Sequence, residues 1–146
     1  MDSVATLDEE RLANIKVART LMTSFNQETW FPLLHDDLIL EFPYAYSVKM
    51  PGRVVGKKAC VEYLSGVMKH FTGLTFRDVV INTTGEPDKL IIEYAGRCKL
   101  ASGVVYEQTY ATIQRFRDGK MVFFREFWNP MAVIDAFGPD LGKAFA

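Results

Sequence analysis

The chain has 146 residues, a formal net charge of −1, 49% hydrophobic and 24% charged residues, the make-up of one globular domain with a sizeable core. It carries no basic block and no apolar run near the roughly 20 residues that span a bilayer, so nucleic-acid binding and a membrane-crossing helix have no support. Aromatics at 13% exceed what a core needs and favour an aromatic-lined pocket or interface.

The first eleven residues, MDSVATLDEER, are polar and acidic and do not read as a secretory signal, which leaves the cytoplasm as the expected compartment. Thr6 to Phe25 has helical periodicity through Leu12, Ile15, Ala18 and Met22, with Thr6 and Glu9 spaced as a capping box. Glu28 to Leu34 reads as a short second helix. His35-Asp36-Asp37 then reads as a turn before a strand over Leu38 to Pro43, in which Leu38, Leu40 and Phe42 share one face and Ile39 and Glu41 the other. Tyr44 to Gly56, with Pro51, Gly52 and Gly56, reads as a loop whose Tyr44 and Tyr46 are placed to rim a pocket. Lys57 to Phe71 is a helix with a stripe at Ala59, Tyr63 and Val67, and His70 sits in its last turn, where the helix dipole favours a cation. Strands follow over Leu74 to Thr83 and Lys89 to Leu100, joined by Gly85-Glu86-Pro87-Asp88. After Asn129-Pro130 comes a short helix over Met131 to Phe137 and a Gly/Pro-containing end expected to be loosely held. Helices first and a strand meander after mean α+β with an antiparallel sheet, in one domain over residues 1–146 with its ordered core at about 6–137.

The stretch Val104 to Pro130 reads as a hairpin turned at Asp118-Gly119. In its second strand Val122, Phe124, Glu126 and Trp128 share a face, which puts one carboxylate among apolar neighbours. Such a group is costly when buried, and it either binds a partner such as Arg97 or Arg115 or titrates near neutral pH as an acid/base. Tyr106, Gln108 and Tyr110 form a period-two ladder on the first strand. A three-residue loop, the preferred reading, sets Tyr110 opposite Glu126; a two-residue turn sets Ala111 there instead. On the first register Tyr110 and Gln108 supply donors to a developing oxygen charge, with Phe124 and Trp128 as substrate-contacting walls. His70 suits a proton relay, and Arg97 either binds an anionic substrate group or pairs with a carboxylate across the sheet. The other side of the last strand, Met121, Phe123 and Phe127, is an apolar strip suited to a second copy of the chain. Cys60 and Cys98 are far apart and read as buried thiols. No HExxH, spaced Cys/His set, GxGxxG or GxSxG occurs, so no metal or cofactor is expected.

Four stretches carry a family resemblance: HDDLILEFPY (35–44), GKKACVEYL (56–64), EPDKLIIEYAGR (86–97) and YEQTYATIQRFRDGKMVFFREFWNP (106–130). Together with the element order they resemble the nuclear transport factor 2-like superfamily, also called SnoaL-like or cystatin-like, nearest the branch with the phenazine-biosynthesis A/B proteins. The resemblance implies a cone-shaped fold in which a curved antiparallel sheet wraps around N-terminal helices and encloses a pocket. The run Arg125-Glu126-Phe127-Trp128-Asn129-Pro130 matches that branch's ending, which implies an acid/base role for Glu126 assisted by a helix-end histidine, here His70. It also implies dimers through the outer sheet face. Ketosteroid isomerases are less similar: their carboxylate base falls at Phe42 here, with Glu41 on the opposite face.

These readings lead to a cofactor-independent enzyme that moves protons on a hydrophobic, carbonyl-bearing metabolite of secondary metabolism, by isomerisation, cyclisation, dehydration or condensation. The alternative is a non-catalytic dimeric protein that binds a small hydrophobic ligand.

Overall fold

Asp118 and Gly119 both take positive φ, 55° and 72°, the backbone that a two-residue hairpin turn requires and that this dipeptide tolerates best. In the computed structural model, which describes residues 4–146, this turn joins β5 (Val105–Arg117) to β6 (Lys120–Trp128). The pairing starts as Arg117 with Lys120 and Phe116 with Met121, then jumps to Arg115 with Phe123. Val122 is therefore the extra residue of a β-bulge. The bulge corrects both expected registers. It advances the pairing by one residue beyond the two-residue turn, so Glu126 lies opposite Thr112 and Tyr110 lies opposite Trp128. It also swaps sides at the strand's start: Met121 is fully buried in the core, not on the outer face with Phe123 and Phe127.

The remaining strands are β1 (Leu34–Glu41), β2 (Arg53–Val55), β3 (Thr75–Thr83) and β4 (Lys89–Lys99), and the sheet order is β2-β1-β6-β5-β4-β3. All neighbours are antiparallel except β1 and β6, which run parallel, so the sheet is mixed at that one seam. His35-Asp36-Asp37 belongs to β1 and is not a turn; it lies in the irregular stretch between the Leu34–Met121 and Ile39–Phe123 pairs. Leu34 pairs with Met121, and Leu34 and Leu38 bracket the polar residues as fully buried anchors. A second register shift between Arg77 and Val80, with Asp78 at φ 55°, bends β3 and adds to the curvature of the sheet.

Helix α1 (Val4–Leu21), α2 (Gln27–Trp30) and α3 (Lys57–His70) cover the concave face. α1 already runs from Val4, so Thr6 lies inside the helix; its side chain is outside the described residues. The buried stripe of α1 is Ala18, Leu21 and Met22, while Leu12 is 66% exposed. Trp30 closes the first helical corner by donating its indole N–H to the Leu21 carbonyl at 2.9 Å, a bond a buried Trp needs. α3 buries Cys60, Leu64 and Met68, where Leu64 and Met68 widen the expected stripe; Ala59 is exposed instead of buried, and Tyr63 and Val67 line the interior of the cone.

The chain end is packed. α4 (Pro130–Phe137) starts at Asn129, whose side chain accepts from the Met131 N–H, and α5 (Leu141–Ala144) follows. Leu141 is 7% exposed, and Phe145 stacks flat on His70 with ring centroids 4.0 Å apart. Among the described residues no helix is long and apolar enough to cross a membrane.

Candidate active site

Strand alternation and the observed register put two rows of side chains around the carboxylate on the concave face. Ile92, Thr112 and Glu126 form one row across β4, β5 and β6, and Tyr94, Tyr110 and Trp128 form the next. Tyr94 is thus diagonal to Glu126, and its hydroxyl donates to Glu126 Oε2 at 3.0 Å. Tyr94 and Tyr110 stack across the strands at 4.8 Å with an interplanar angle of 21°, an ordinary cross-strand aromatic pair. The ring of Tyr110 lies over Gly96. A Cβ there would meet Tyr110 Cε2 at 2.9 Å and Leu74 Cδ1 at 3.2 Å, so glycine at 96 is what allows this ring to lie against the sheet.

These residues line a cavity of about 90 Å³ between the sheet, α3 and the C-terminal helices. Its walls are aromatic and aliphatic, with Phe25, Trp30, Phe42, Phe71, Phe76 and Phe145 beside Leu64, Val67 and Leu74. Glu126 is partly buried by surface area, lies among many protein atoms and lines this cavity. Burial pushes its pKa up from 4.5 to about 7, and the bond from Tyr94 lowers it in part. The surrounding phenols move upward as well. Burial, aided by the neighbouring Glu126 charge, raises Tyr63 and Tyr94, and burial takes Tyr106 to about 12 and Tyr110 well above 10. All four are neutral donors across the physiological range, which leaves Glu126 as the one lining group that changes charge there. Removing the Tyr94 hydroxyl removes the contact that favours the ionised carboxylate. Tyr94→Phe is therefore expected to move the Glu126 titration to higher pH, as read from its carboxyl carbon by NMR; an unchanged or lowered midpoint would contradict the assignment.

Of the residues singled out from the sequence, Glu126, Tyr110, Phe124 and Trp128 meet at the cavity. His70 is not among its walls. Its ring lies against Phe145, and Phe145 is the group that faces inward. Gln108 is buried but fully occupied: its Nε2 donates to the Tyr106 hydroxyl and the Asn129 carbonyl at 2.9 Å each, and its Oε1 accepts from the Asn129 and Thr109 N–H groups. It clasps the end of β6 and has no donor left for a ligand. Tyr44 and Tyr46 are 42% and 77% exposed, because the 3₁₀ turn Ala45–Val48 buries Ala45 and Val48 instead. Tyr44 packs edge-on against Phe127 outside the cone. Arg97 faces outward and pairs with Glu107 at 3.4 Å, and Arg115 binds Glu86 and Asp88. Neither arginine is the partner of Glu126. That partner, Tyr94, was missed from sequence, although the alternation Ile92, Tyr94, Gly96 was a usable signal.

The curved α+β cone is the fold of the nuclear transport factor 2-like proteins. The family model for the SnoaL-like domain matches residues 18–124, and the chain belongs to the SnoaL-like family. An uncharacterised PhzA/B-like protein of Pseudomonas aeruginosa is 33% identical over 122 residues, covering 81% of this chain and 83% of that one. A crystal structure of a provisionally assigned isomerase from Bacillus subtilis is similar with a TM-score of 0.78 at 27% identity, covering 90% of this chain and 96% of the other. A phenazine biosynthesis-related protein of Pseudomonas aeruginosa also gives 0.78, at 20% identity, over 92% of this chain and 90% of its own.

Proposed function

We propose that this chain is a cofactor-independent enzyme of the isomerase or cyclase kind, which moves a proton on a hydrophobic, carbonyl-bearing small molecule. The observation that carries the reading is Glu126: one carboxylate, set among aromatics, bonded by Tyr94 at 3.0 Å and titrating near pH 7. A group with its pKa at working pH can both take and return a proton. Tyr110 is a neutral phenol beside it, suited to an oxygen that gains charge as a carbon loses its proton, while the Tyr94 O–H is given to the carboxylate itself. The apolar walls exclude water, which strengthens both effects. Membership of the SnoaL-like family and the likeness to an isomerase support the same class of chemistry. The test is exchange of α-protons for deuterium in acetophenone and cyclohexanone, followed by NMR, with wild type and Glu126→Gln compared.

One observation favours a second reading, a binding protein. No second titrating group joins Glu126, since His70 lies behind Phe145. On that reading the carboxylate only accepts or donates a hydrogen bond, and ketones bind without exchanging protons.

The assembly we propose is a cytoplasmic homodimer through the outer sheet face. Phe123 and Phe127 sit on that side, where Arg125 is held by Glu41 at 2.9 Å, and Val80, Ile91 and Val105 are exposed hydrophobics. An apolar strip of this kind favours burial against a second copy. Sedimentation is expected to show a dimer at micromolar concentration, and Phe127→Asp a monomer with unchanged far-UV dichroism. A wild-type monomer would refute the proposal.

A further inference from the structure

The cavity walls contain one charged group and it is negative. Among the described residues that line the cavity, no lysine, arginine or histidine stands beside Glu126. The nearby cations are engaged elsewhere: Arg97 with Glu107, Arg125 with Glu41, and Lys49 with Asp140 at 3.8 Å. The positive end of α4, which could otherwise hold an anion, is capped by Asn129, whose Oδ1 accepts from the Met131 N–H at 3.0 Å. The groups that face Glu126 from the packed elements are Tyr63 of α3, Tyr94 of β4, and Tyr106 and Tyr110 of β5, all phenols. Two further titratable side chains lie in this region: the Cys98 thiol of β4, which acts on Tyr110, and His70 of α3, whose ring is stacked on Phe145.

From this arrangement we infer that the site takes an uncharged ligand, an aromatic or cyclic ketone, and rejects the corresponding carboxylic acids. The inference rests on the cavity being the functional site proposed above, and it narrows that site's ligand class. A carbonyl oxygen accepts from phenol hydroxyls and from protonated Glu126, and needs nothing else. A carboxylate would be stripped of water with no cation to receive it, and would lie beside a second carboxylate. The discrimination has two sources, missing counter-charge and direct repulsion. The first acts at every pH at which the ligand is ionised, and the second grows as Glu126 loses its proton.

Acetophenone and benzoate share a ring and nearly a shape and differ in charge. Their binding to the wild-type protein is measured at pH 6 and pH 8 by NMR titration, with the Trp128 indole signal reporting occupancy of the cavity. Acetophenone is expected to bind at least tenfold more tightly than benzoate at pH 8, with a smaller ratio at pH 6. Equal or tighter binding of benzoate at this signal overturns the inference, as does failure of acetophenone to perturb it. The same titration on Glu126→Gln keeps the two proposals separable. A variant that no longer exchanges protons and still prefers the ketone leaves both standing. A wild-type protein that exchanges protons and prefers benzoate overturns the ligand class alone.

Discussion

Glu126→Gln is expected to slow α-proton exchange of a bound ketone by about 10²–10⁴-fold, the usual worth of a positioned general base, with ketone affinity changed no more than a few-fold. Glutamine keeps the shape of the side chain and can still accept from the Tyr94 hydroxyl, so packing and the 3.0 Å contact have a counterpart in the variant. It cannot accept the substrate proton. The pH profile carries a second signature. Base catalysis needs the ionised carboxylate, so the wild-type rate rises through about pH 7 and then levels, because the phenols around it titrate far higher. The variant's residual rate lacks that step. Equal rates in the two proteins would remove the catalytic role and leave the binding reading.

The carboxylate itself was legible because a strand has a period of two: Phe124, Glu126 and Trp128 had to share a face whatever the rest of the chain did. The residue opposite Glu126 was not legible. Val122 carries no glycine or proline to announce a bulge, and the extra residue there moved Thr112, not Tyr110 or Ala111, into place. Non-local partners were harder still. The sequence suggests an arginine for a buried acid, yet both candidate arginines found carboxylates nearer to hand, and a phenol two strands away took the role. Tyr44 and Tyr46 failed as pocket residues because a 3₁₀ turn buries its small members and presents the tyrosines outward. His70 ended at the helix terminus as expected, but whether it faces the cavity depends on the last residues of the chain, and Phe145 takes the inner position. No local pattern in residues 138–146 indicates that they fold back on the cone.

The same substitution should change how stability depends on pH, and that dependence is the sharper measurement. The folded-state pKa of Glu126 is raised, about 7 against 4.5, so the fold binds this proton more tightly than the open chain does. Its contribution is fully present below pH 4.5 and is lost as pH rises through 7. At 1.4 kcal/mol per tenfold change in proton affinity, wild type gives up about 3 kcal/mol over that interval. Glutamine has nothing to titrate and gives up none. Ion pairs such as Asp37 with Arg117 at 2.7 Å and Glu41 with Arg125 at 2.9 Å also bear on stability. Both proteins share those pairs, so they cancel in the difference. An amide also adds an N–H₂ that needs an acceptor, and a buried donor without one costs about 1–3 kcal/mol. That offset is constant with pH. The stability of Glu126→Gln relative to wild type is therefore expected to rise by most of 3 kcal/mol from pH 5 to pH 8, a change in the Tm difference of roughly 6–12 °C for a chain of this size, whatever its absolute value at either end. A difference that stays flat across this range would mean that Glu126 titrates in the fold as it does in the open chain, and the perturbed acid on which the site is built would have to be given up.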